Sequence, residues 1–161
     1  MKILVIEDTA KHLEDAKRFF ATQPDVEVVY KKTFCELPGH IVADVDSRNK
    51  RPPTELFDGV ISDIFFPDSD HSQPEPIGVA VMMLCRELNV PCVLCTDGYH
   101  HGDRYQWIDR FQQTLGLPQM IDRSPPYDPS GNRDKQHVAN EKSWRFAFET
   151  LKKLIEKSKA P

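Results

Sequence analysis

Three short apolar runs divide the chain and predict buried β-strands. They are Ile3–Ile6, Val60–Ile64 with Ser62 and Asp63 inside it, and Cys92–Cys95. The runs are nearly continuous and do not alternate with polar residues, which is typical of strands covered on both faces, as in parallel sheets. We therefore expect a parallel sheet in which these three strands are central.

Apolar residues at helical spacing follow these runs. Three such stripes combine residues three or four positions apart, so that each forms one face of a helix. The stripes are Leu13, Ala16 and Phe20; Ile108, Phe111 and Leu115; and Trp144, Phe148, Leu151 and Ile155. Strands that alternate with helices indicate βαβ units and a parallel sheet.

The predicted order is five strand–helix units. The strands are Lys2–Glu7, Val26–Tyr30, Gly59–Ile64, Pro91–Thr96 and Gln119–Asp122. The helices are Ala10–Thr22, Phe34–Val42, Gly78–Leu88, Arg104–Leu115 and Asp134–Lys157, and polar loops are expected at Asp44–Thr54, Pro67–Pro76 and Ser124–Arg133. This order predicts an α/β fold: a flavodoxin-like, doubly wound, five-stranded parallel sheet with helices on both faces, in one domain covering residues 1–161.

Composition and charge narrow the function classes. The chain has 161 residues, of which 39% are hydrophobic and 29% charged, and its net charge is −4. Such a charge does not favour nucleic acid or an anionic membrane as partner. No apolar run is long enough to cross a bilayer, and the apolar start of MKILVIED is too short for a signal peptide. We therefore expect a cytoplasmic protein.

Cys92 and Cys95 form a C-x-x-C motif, which also occurs in zinc and redox sites. The segment VPCVLCT reads as a buried strand, in which residues three apart point to opposite faces. The two thiols therefore cannot bind one metal ion. We expect them to act as small buried hydrophobic groups.

Polar side chains follow the predicted strands at their carboxyl ends, where open α/β sheets bind ligands. They are Glu7 and Asp8, Asp63, Thr96 and Asp97, and Asp122 and Arg123. A single acid at such a place is more often a helix cap, as Asp8 would be. Carboxylates from several strand ends together suit a hard dication such as Mg²⁺.

Three segments resemble the receiver domain of two-component response regulators, the CheY-like family. MKILVIEDTAKHLEDAKRFF is similar to its opening strand, acidic pair and first helix. GVISDIFFPD is similar to its phosphorylation segment, and VPCVLCTDG to its fourth strand with the switch threonine. The resemblance covers residues 1 to about 125, with a plausible last helix beyond.

The resemblance implies a role for each matching residue. Asp63 would be the phosphoryl acceptor, and Glu7, Asp8, Asp63 and the backbone carbonyl of Phe65 would hold Mg²⁺. Thr96 would bind the phosphoryl group, and Arg123 is the cation nearest to the position of the family's lysine. A histidine kinase or phosphotransfer protein would be the donor. A stand-alone receiver would then act by contact with a downstream protein.

Two alternatives stay open. Arg123 stands where the family has Lys followed by Pro, and Asp97 follows Thr96 where a small residue is usual. Both departures favour a pseudo-receiver that is not phosphorylated and serves as a protein-interaction module. A small hydrolase or phosphotransferase is the third possibility, but the chain has no P-loop, no cysteine nucleophile at a strand end and no obvious general base. We therefore expect a protein that is not an enzyme.

Overall fold

The computed structural model describes residues 1–37, 57–98, 104–122 and 142–159. In these ranges the strands are β1 (Lys2–Ile6), β2 (Glu27–Lys31), β3 (Gly59–Ser62) and β4 (Cys92–Leu94). The α-helices are α1 (Ala10–Phe20), α2 (Ile77–Glu87), α3 (Gln106–Leu115) and α4 (Trp144–Lys159), and a 3₁₀ turn covers Phe34–Glu36.

The four strands form one parallel sheet in the order β2-β1-β3-β4. In β1, Val5 pairs with Tyr30 on one side and with Ile61 on the other. β1 and β3 are therefore internal, as the continuous apolar runs predicted. β4, also expected to be central, is the last strand of this sheet in the described residues and has only a single bridge, between Cys95 and Ile121, on its outer side. The doubly wound α/β fold is confirmed.

The predicted fifth strand, Gln119–Asp122, is reduced to one parallel bridge between Ile121 and Cys95. Ile121 donates its N–H to the carbonyl of Leu94 and accepts from the N–H of Thr96, both at 2.8 Å. The backbone just before this bridge forms hydrogen bonds with a side chain. The Gln112 amide donates to the Pro118 carbonyl at 2.7 Å and accepts from the Met120 N–H at 3.1 Å.

Both faces of the sheet are covered by helices. One face presents Leu4, Ile6, Val60 and Leu94 to a cluster that includes Val81, Met82 and Cys85 of α2 and Ile108 of α3. The other face presents Ile3, Val5, Ile61 and Val93 to Ala16 and Phe20 of α1 and to Ala147, Phe148, Leu151 and Ile155 of α4. Strands buried on both faces need apolar residues at every position, which explains why the runs do not alternate.

The C-x-x-C motif behaves as expected. Cys92 lies in the core cluster on one face of the sheet and Cys95 in the cluster on the other. All four cysteines are free, and Cys85, Cys92 and Cys95 are buried. The two thiols of the motif therefore fill separate parts of the core.

Two predicted helices, Phe34–Val42 and Asp134–Lys157, differ from the structure in the parts that are described. The 3₁₀ turn stands at the start of the expected helix Phe34–Val42, held by Glu36, whose carboxylate accepts from the N–H groups of Lys32 at 2.7 Å and Thr33 at 3.2 Å. The last helix was expected from Asp134, but residues 142 and 143 are not helical, and the first α-helical hydrogen bond runs from Ala147 N–H to the Ser143 carbonyl.

Several predicted segments lie outside the described residues. They are the later part of the helix Phe34–Val42, the loops Asp44–Thr54 and Ser124–Arg133, and residues 134–141 of the last helix. The loop Pro67–Pro76 is described, and an antiparallel bridge between Phe66 and Glu75 closes its base. Of the helices in the described ranges, none has the length and apolarity that a membrane crossing requires.

Gly78 lets the start of α2 lie directly against the end of β3. Its N–H donates to the carbonyl of Ile64 at 3.0 Å. A Cβ atom at this position would lie 2.0 Å from the backbone carbonyl oxygen of Asp63. Both neighbours are backbone atoms, which cannot move aside as a side chain can.

We predict that Gly78→Ala lowers the free energy of unfolding by roughly 1–3 kcal/mol, because overpacking against backbone forces a shift of the helix. Urea denaturation measures the change. Glu87→Ala, at an exposed position of the same helix, is the control and should change stability by less than about 0.5 kcal/mol. Equal stability of the two variants would show that the contact at Gly78 is not restrictive.

Candidate functional site

Three carboxylates meet at the carboxyl ends of β1 and β3. Glu7 and Asp8 follow β1, and Asp63 follows β3. One oxygen atom of each lies within 4.8 Å of the others. Glu7 is fully buried and Asp63 is 7% exposed, whereas Asp8 is partly exposed. The structure thus places like charges together in a site with little access to water.

Lys142 supplies the positive charge of this cluster. Its Nζ atom lies 2.5 Å from Oε2 of Glu7 and 2.8 Å from Oδ2 of Asp63, and its side chain is fully buried. Lys142 lies two residues before α4, so the chain returns from the far end of the sequence to complete the site. Trp144, the first residue of α4, places its ring 5.9 Å from the ammonium group.

Backbone N–H groups bind the remaining oxygens of the two buried carboxylates. Oε1 of Glu7 accepts from the N–H of Thr9 at 3.0 Å, and Oδ1 of Asp63 accepts from the N–H of Ile64 at 2.6 Å. Each carboxylate is therefore held by one backbone donor and by Lys142. Their orientation is fixed before any ligand binds.

The site shifts the pKa values of all three buried groups. Burial raises the pKa of Glu7 from 4.5 to about 7, against the attraction of Lys142 and with a further contribution from repulsion by Asp63. Burial also raises the pKa of Asp63, again opposed by Lys142. Burial acts to lower the pKa of Lys142, but the carboxylates of Asp63 and Glu7 outweigh it and raise that pKa above its ordinary value.

Among the described residues, the site has more carboxylates than cations. Two buried carboxylates share one ammonium group, and Asp8 adds a third carboxylate at the edge of the cluster. A proton on Glu7 or a further cation relieves the repulsion. The site therefore favours binding of a cation.

The donor set fits Mg²⁺. Carboxylate and carbonyl oxygens are the ligands this ion prefers, and it commonly keeps several waters. Glu7, Asp8 and Asp63 supply the carboxylates. The carbonyl of Phe65, two residues beyond Asp63, receives no hydrogen bond from any residue in the described ranges. Lys142 competes for two of the same carboxylates, so metal binding requires its ammonium group to give up part of these contacts.

A cavity of about 400 Å³ opens above the carboxylates. Its lining includes Asp8, Asp63, Thr96, Asp97 and Arg104. This space is large enough for a phosphoryl group and part of its donor. One space is thus bordered by the groups that would bind such a ligand: carboxylates, a hydroxyl group and a guanidinium group.

Aromatic side chains form one wall of this cavity. The guanidinium carbon of Arg104 lies 3.7 Å from the centre of the Phe65 ring, and Tyr105 packs edge-on against Phe65 with ring centres 5.4 Å apart. Gly98 makes room for this arrangement, because a Cβ atom there would lie 2.1 Å from the Tyr105 ring.

Thr96 is almost completely buried at the end of β4. Its Oγ1 atom accepts a hydrogen bond from the N–H of Gly98 at 3.1 Å. The hydroxyl group therefore still has its own hydrogen to donate, and it borders the same cavity as Asp63.

Lys142 was not found from the sequence, which pointed to Arg123 as the nearest cation. Arg123 lies outside the described residues. The resemblance places the family's lysine at the end of the fifth strand, whereas Lys142 lies well beyond that strand, two residues before α4. The available signal was its position just before the apolar stripe that starts at Trp144, but the predicted helix Asp134–Lys157 placed it inside a helix.

We predict that the metal-free protein loses stability as the pH rises from about 5 to about 8, because the folded state holds a proton on Glu7 that the unfolded chain releases near 4.5. Glu7→Gln has no titratable proton at this position, so its free energy of unfolding should fall less over the same pH range. Urea denaturation in EDTA at both pH values measures the free energy of unfolding.

Glu156→Gln, an exposed change on α4, is the control and should follow the wild type. Parallel pH curves for the wild type and Glu7→Gln would contradict the prediction, because Glu7 would then titrate at the same pH in the folded and unfolded states.

No protein-family model and no curated protein matches the chain in sequence. Solved structures do match in fold. The receiver domain of Francisella response regulator 1452 aligns with a TM-score of 0.56 at 12% identity, over 98% of each chain. A CheY-like receiver domain from Methanospirillum hungatei JF-1 aligns with a TM-score of 0.55 at 17% identity, over 98% of this chain and 94% of that one.

A structure described as adenylate cyclase from Rhodopirellula baltica also aligns, with a TM-score of 0.51 at 12% identity over 98% of this chain and 88% of that one. Likeness at such low identity concerns the fold, and function has to be argued from the site. The chain therefore has the fold of CheY-like response-regulator receiver domains.

Proposed function

We propose that the chain is a receiver-like signalling domain that accepts a phosphoryl group on Asp63 from a partner histidine kinase or phosphotransfer protein. Glu7, Asp8, Asp63 and the carbonyl of Phe65 would hold Mg²⁺. The observation that carries the proposal is the buried ammonium group of Lys142, 2.8 Å from Asp63 inside a cluster of carboxylates.

The chemistry needs this positive charge. In the transfer, an oxygen of Asp63 forms a bond to phosphorus while the phosphorus–nitrogen bond to the donor histidine breaks, and the imidazole keeps the electron pair. Phosphoryl transfer depends mainly on positioning and on neutralising the charge of the phosphoryl oxygens. Lys142 is already beside the attacking carboxylate, and bound Mg²⁺ would add the charge that screens the incoming dianion.

Two further residues fit roles in binding the phosphoryl group. Thr96 borders the cavity with a hydroxyl hydrogen to donate, and its position at the start of the loop after β4 would pass its movement to that loop. Arg123 directly follows Asp122 in sequence and is proposed as a second cation. The geometry of Thr96 supports its role directly, whereas the role of Arg123 rests on its position in sequence.

The proposed location and output follow from other features. Four free cysteines suit a reducing compartment, which supports the cytoplasm. A receiver-like domain passes its signal by a change of surface, so the proposed output is contact with a downstream protein. A pseudo-receiver would have the same fold and the same contacts without the phosphoryl group.

We predict that incubation with phosphoramidate and Mg²⁺ adds one phosphoryl group to the wild type, seen by intact mass, and none to Asp63→Asn. Phosphoramidate contains the phosphorus–nitrogen bond of the natural donor class and needs no kinase. Asp70→Asn in the loop after β3 is the control and should be modified like the wild type, because Asp70 does not line the cavity. No addition to the wild type, with metal bound, would favour the pseudo-receiver.

We predict that Lys142→Met slows this transfer by about tenfold or more, because a preorganised charge next to the transferred group is lost. Mn²⁺ should bind at least as tightly as to the wild type, because the competing ammonium group is gone. Trp144 fluorescence reports the binding, since its ring is close to Lys142, and Trp107→Phe removes the signal of the exposed tryptophan.

Lys153→Met on the exposed side of α4 is the matched control and should leave both quantities unchanged. Transfer at the wild-type rate in Lys142→Met would show that the ammonium group only stabilises the fold. Loss of Mn²⁺ binding in this variant would show that Lys142 holds the carboxylates in place for the ion.

A further inference from the structure

A buried histidine on α1 binds the acidic residue that follows Thr96. His12 is 5% exposed, and its Nε2 atom lies 3.2 Å from Oδ2 of Asp97. Its other ring nitrogen, Nδ1, is buried and has no hydrogen-bond partner among the described residues. Asp97 is thus the one hydrogen-bond partner that the described part of the chain gives this imidazole.

The position of His12 is costly for a purely structural residue. The other buried residues of α1 are Leu13, Ala16 and Phe20, which pack as apolar side chains. A polar ring in the same stripe loses its water contacts, and half of its hydrogen-bonding capacity is not replaced. An apolar residue would pack here without that loss, so the contact with Asp97 is the evident reason for a histidine.

Asp97 is placed where its charge affects the site. It lines the cavity that Asp8, Asp63 and Thr96 also line, and its side chain is 46% exposed. A carboxylate free to turn into this space would repel a phosphoryl dianion and occupy part of its volume. The hydrogen bond to His12 holds the carboxylate on the side of α1 instead.

We propose that His12 is a positioning residue, which binds the Asp97 carboxylate and keeps it out of the space that the phosphoryl group enters. This inference rests on the proposed function of Asp63. The imidazole donates from Nε2, because a carboxylate oxygen can only accept. His12 therefore acts through orientation of Asp97 and does not touch the reacting atoms.

The test is a double-mutant cycle on the rate of Asp63 modification by phosphoramidate at saturating Mg²⁺. His12→Leu releases Asp97 and should lower the rate about tenfold, because a like charge can then enter the cavity. Asp97→Asn in the His12→Leu background removes that charge and should restore at least the wild-type rate. His12→Gln keeps an N–H donor and should stay within about threefold of the wild type.

The rescue separates positioning from folding. A variant that merely loosens α1 would stay slow when Asp97 is also changed. Equal rates for His12→Leu and His12→Leu/Asp97→Asn would therefore overturn the inference, as would a wild-type rate in His12→Leu.

Mn²⁺ binding, followed by Trp144 fluorescence in the Trp107→Phe background, separates this inference from the proposed function. A released Asp97 carboxylate adds negative charge to the cavity, so His12→Leu should bind Mn²⁺ about threefold more tightly, and Asp97→Asn should cancel the gain. This pattern without any phosphorylation of the wild type would retire the proposed function and keep the role of His12. Phosphorylation of the wild type, with no effect of His12→Leu on either the rate or Mn²⁺ binding, would keep the proposed function and retire the role of His12.

Discussion

The ion pairs of Lys142 with Glu7 and Asp63 are the constraint on which the rest of the site depends. Both partners of the lysine are at the ends of central strands, and Lys142 precedes the last helix, so the contact with Glu7 joins residues 135 positions apart. An unpaired charge at this depth would cost several kcal/mol, so loss of one member would leave the others unstable. The same contact therefore fixes the acidic cluster and holds α4 to the sheet.

A buried cluster of ion pairs stabilises a fold less than apolar residues of similar volume would. Here the cluster lies where the phosphoryl transfer is proposed. Two buried carboxylates share one ammonium group, and burial raises the pKa of both acids. Gly78 brings α2 against the backbone of Asp63, and N–H groups of Thr9 and Ile64 fix the carboxylates. A rigid frame thus holds carboxylates close together, which is the arrangement that the proposed Mg²⁺ site requires.

The layers of the fold could be predicted from the sequence, but the contacts between residues distant in sequence could not. Continuous apolar runs identified the central strands, and strand alternation placed Cys92 and Cys95 on opposite faces, because both depend on local periodicity. The fifth strand was overestimated, because the pairing of Gln119–Asp122 with β4 is limited to one bridge, between Ile121 and Cys95. The three acids at the strand ends followed from sheet topology. Lys142 did not, because a lysine before a helix has no periodic signature that relates it to Glu7.

The two described cations at the site, Lys142 and Arg104, differ in a way that suits successive contacts with an anion. Lys142 is fully buried, and its compact ammonium group is held by two carboxylates. Arg104 is exposed at the cavity wall, stacked on Phe65, and it forms no ion pair with a described residue. A planar guanidinium group keeps its N–H donors available when it stacks on a ring, because the donors lie in the plane of the group. Under the proposed function, an anion entering the cavity would meet Arg104 first and reach Lys142 only beside Asp63. The exposed charge would then attract the ligand, and the buried charge would lie where the proposed bond to Asp63 forms.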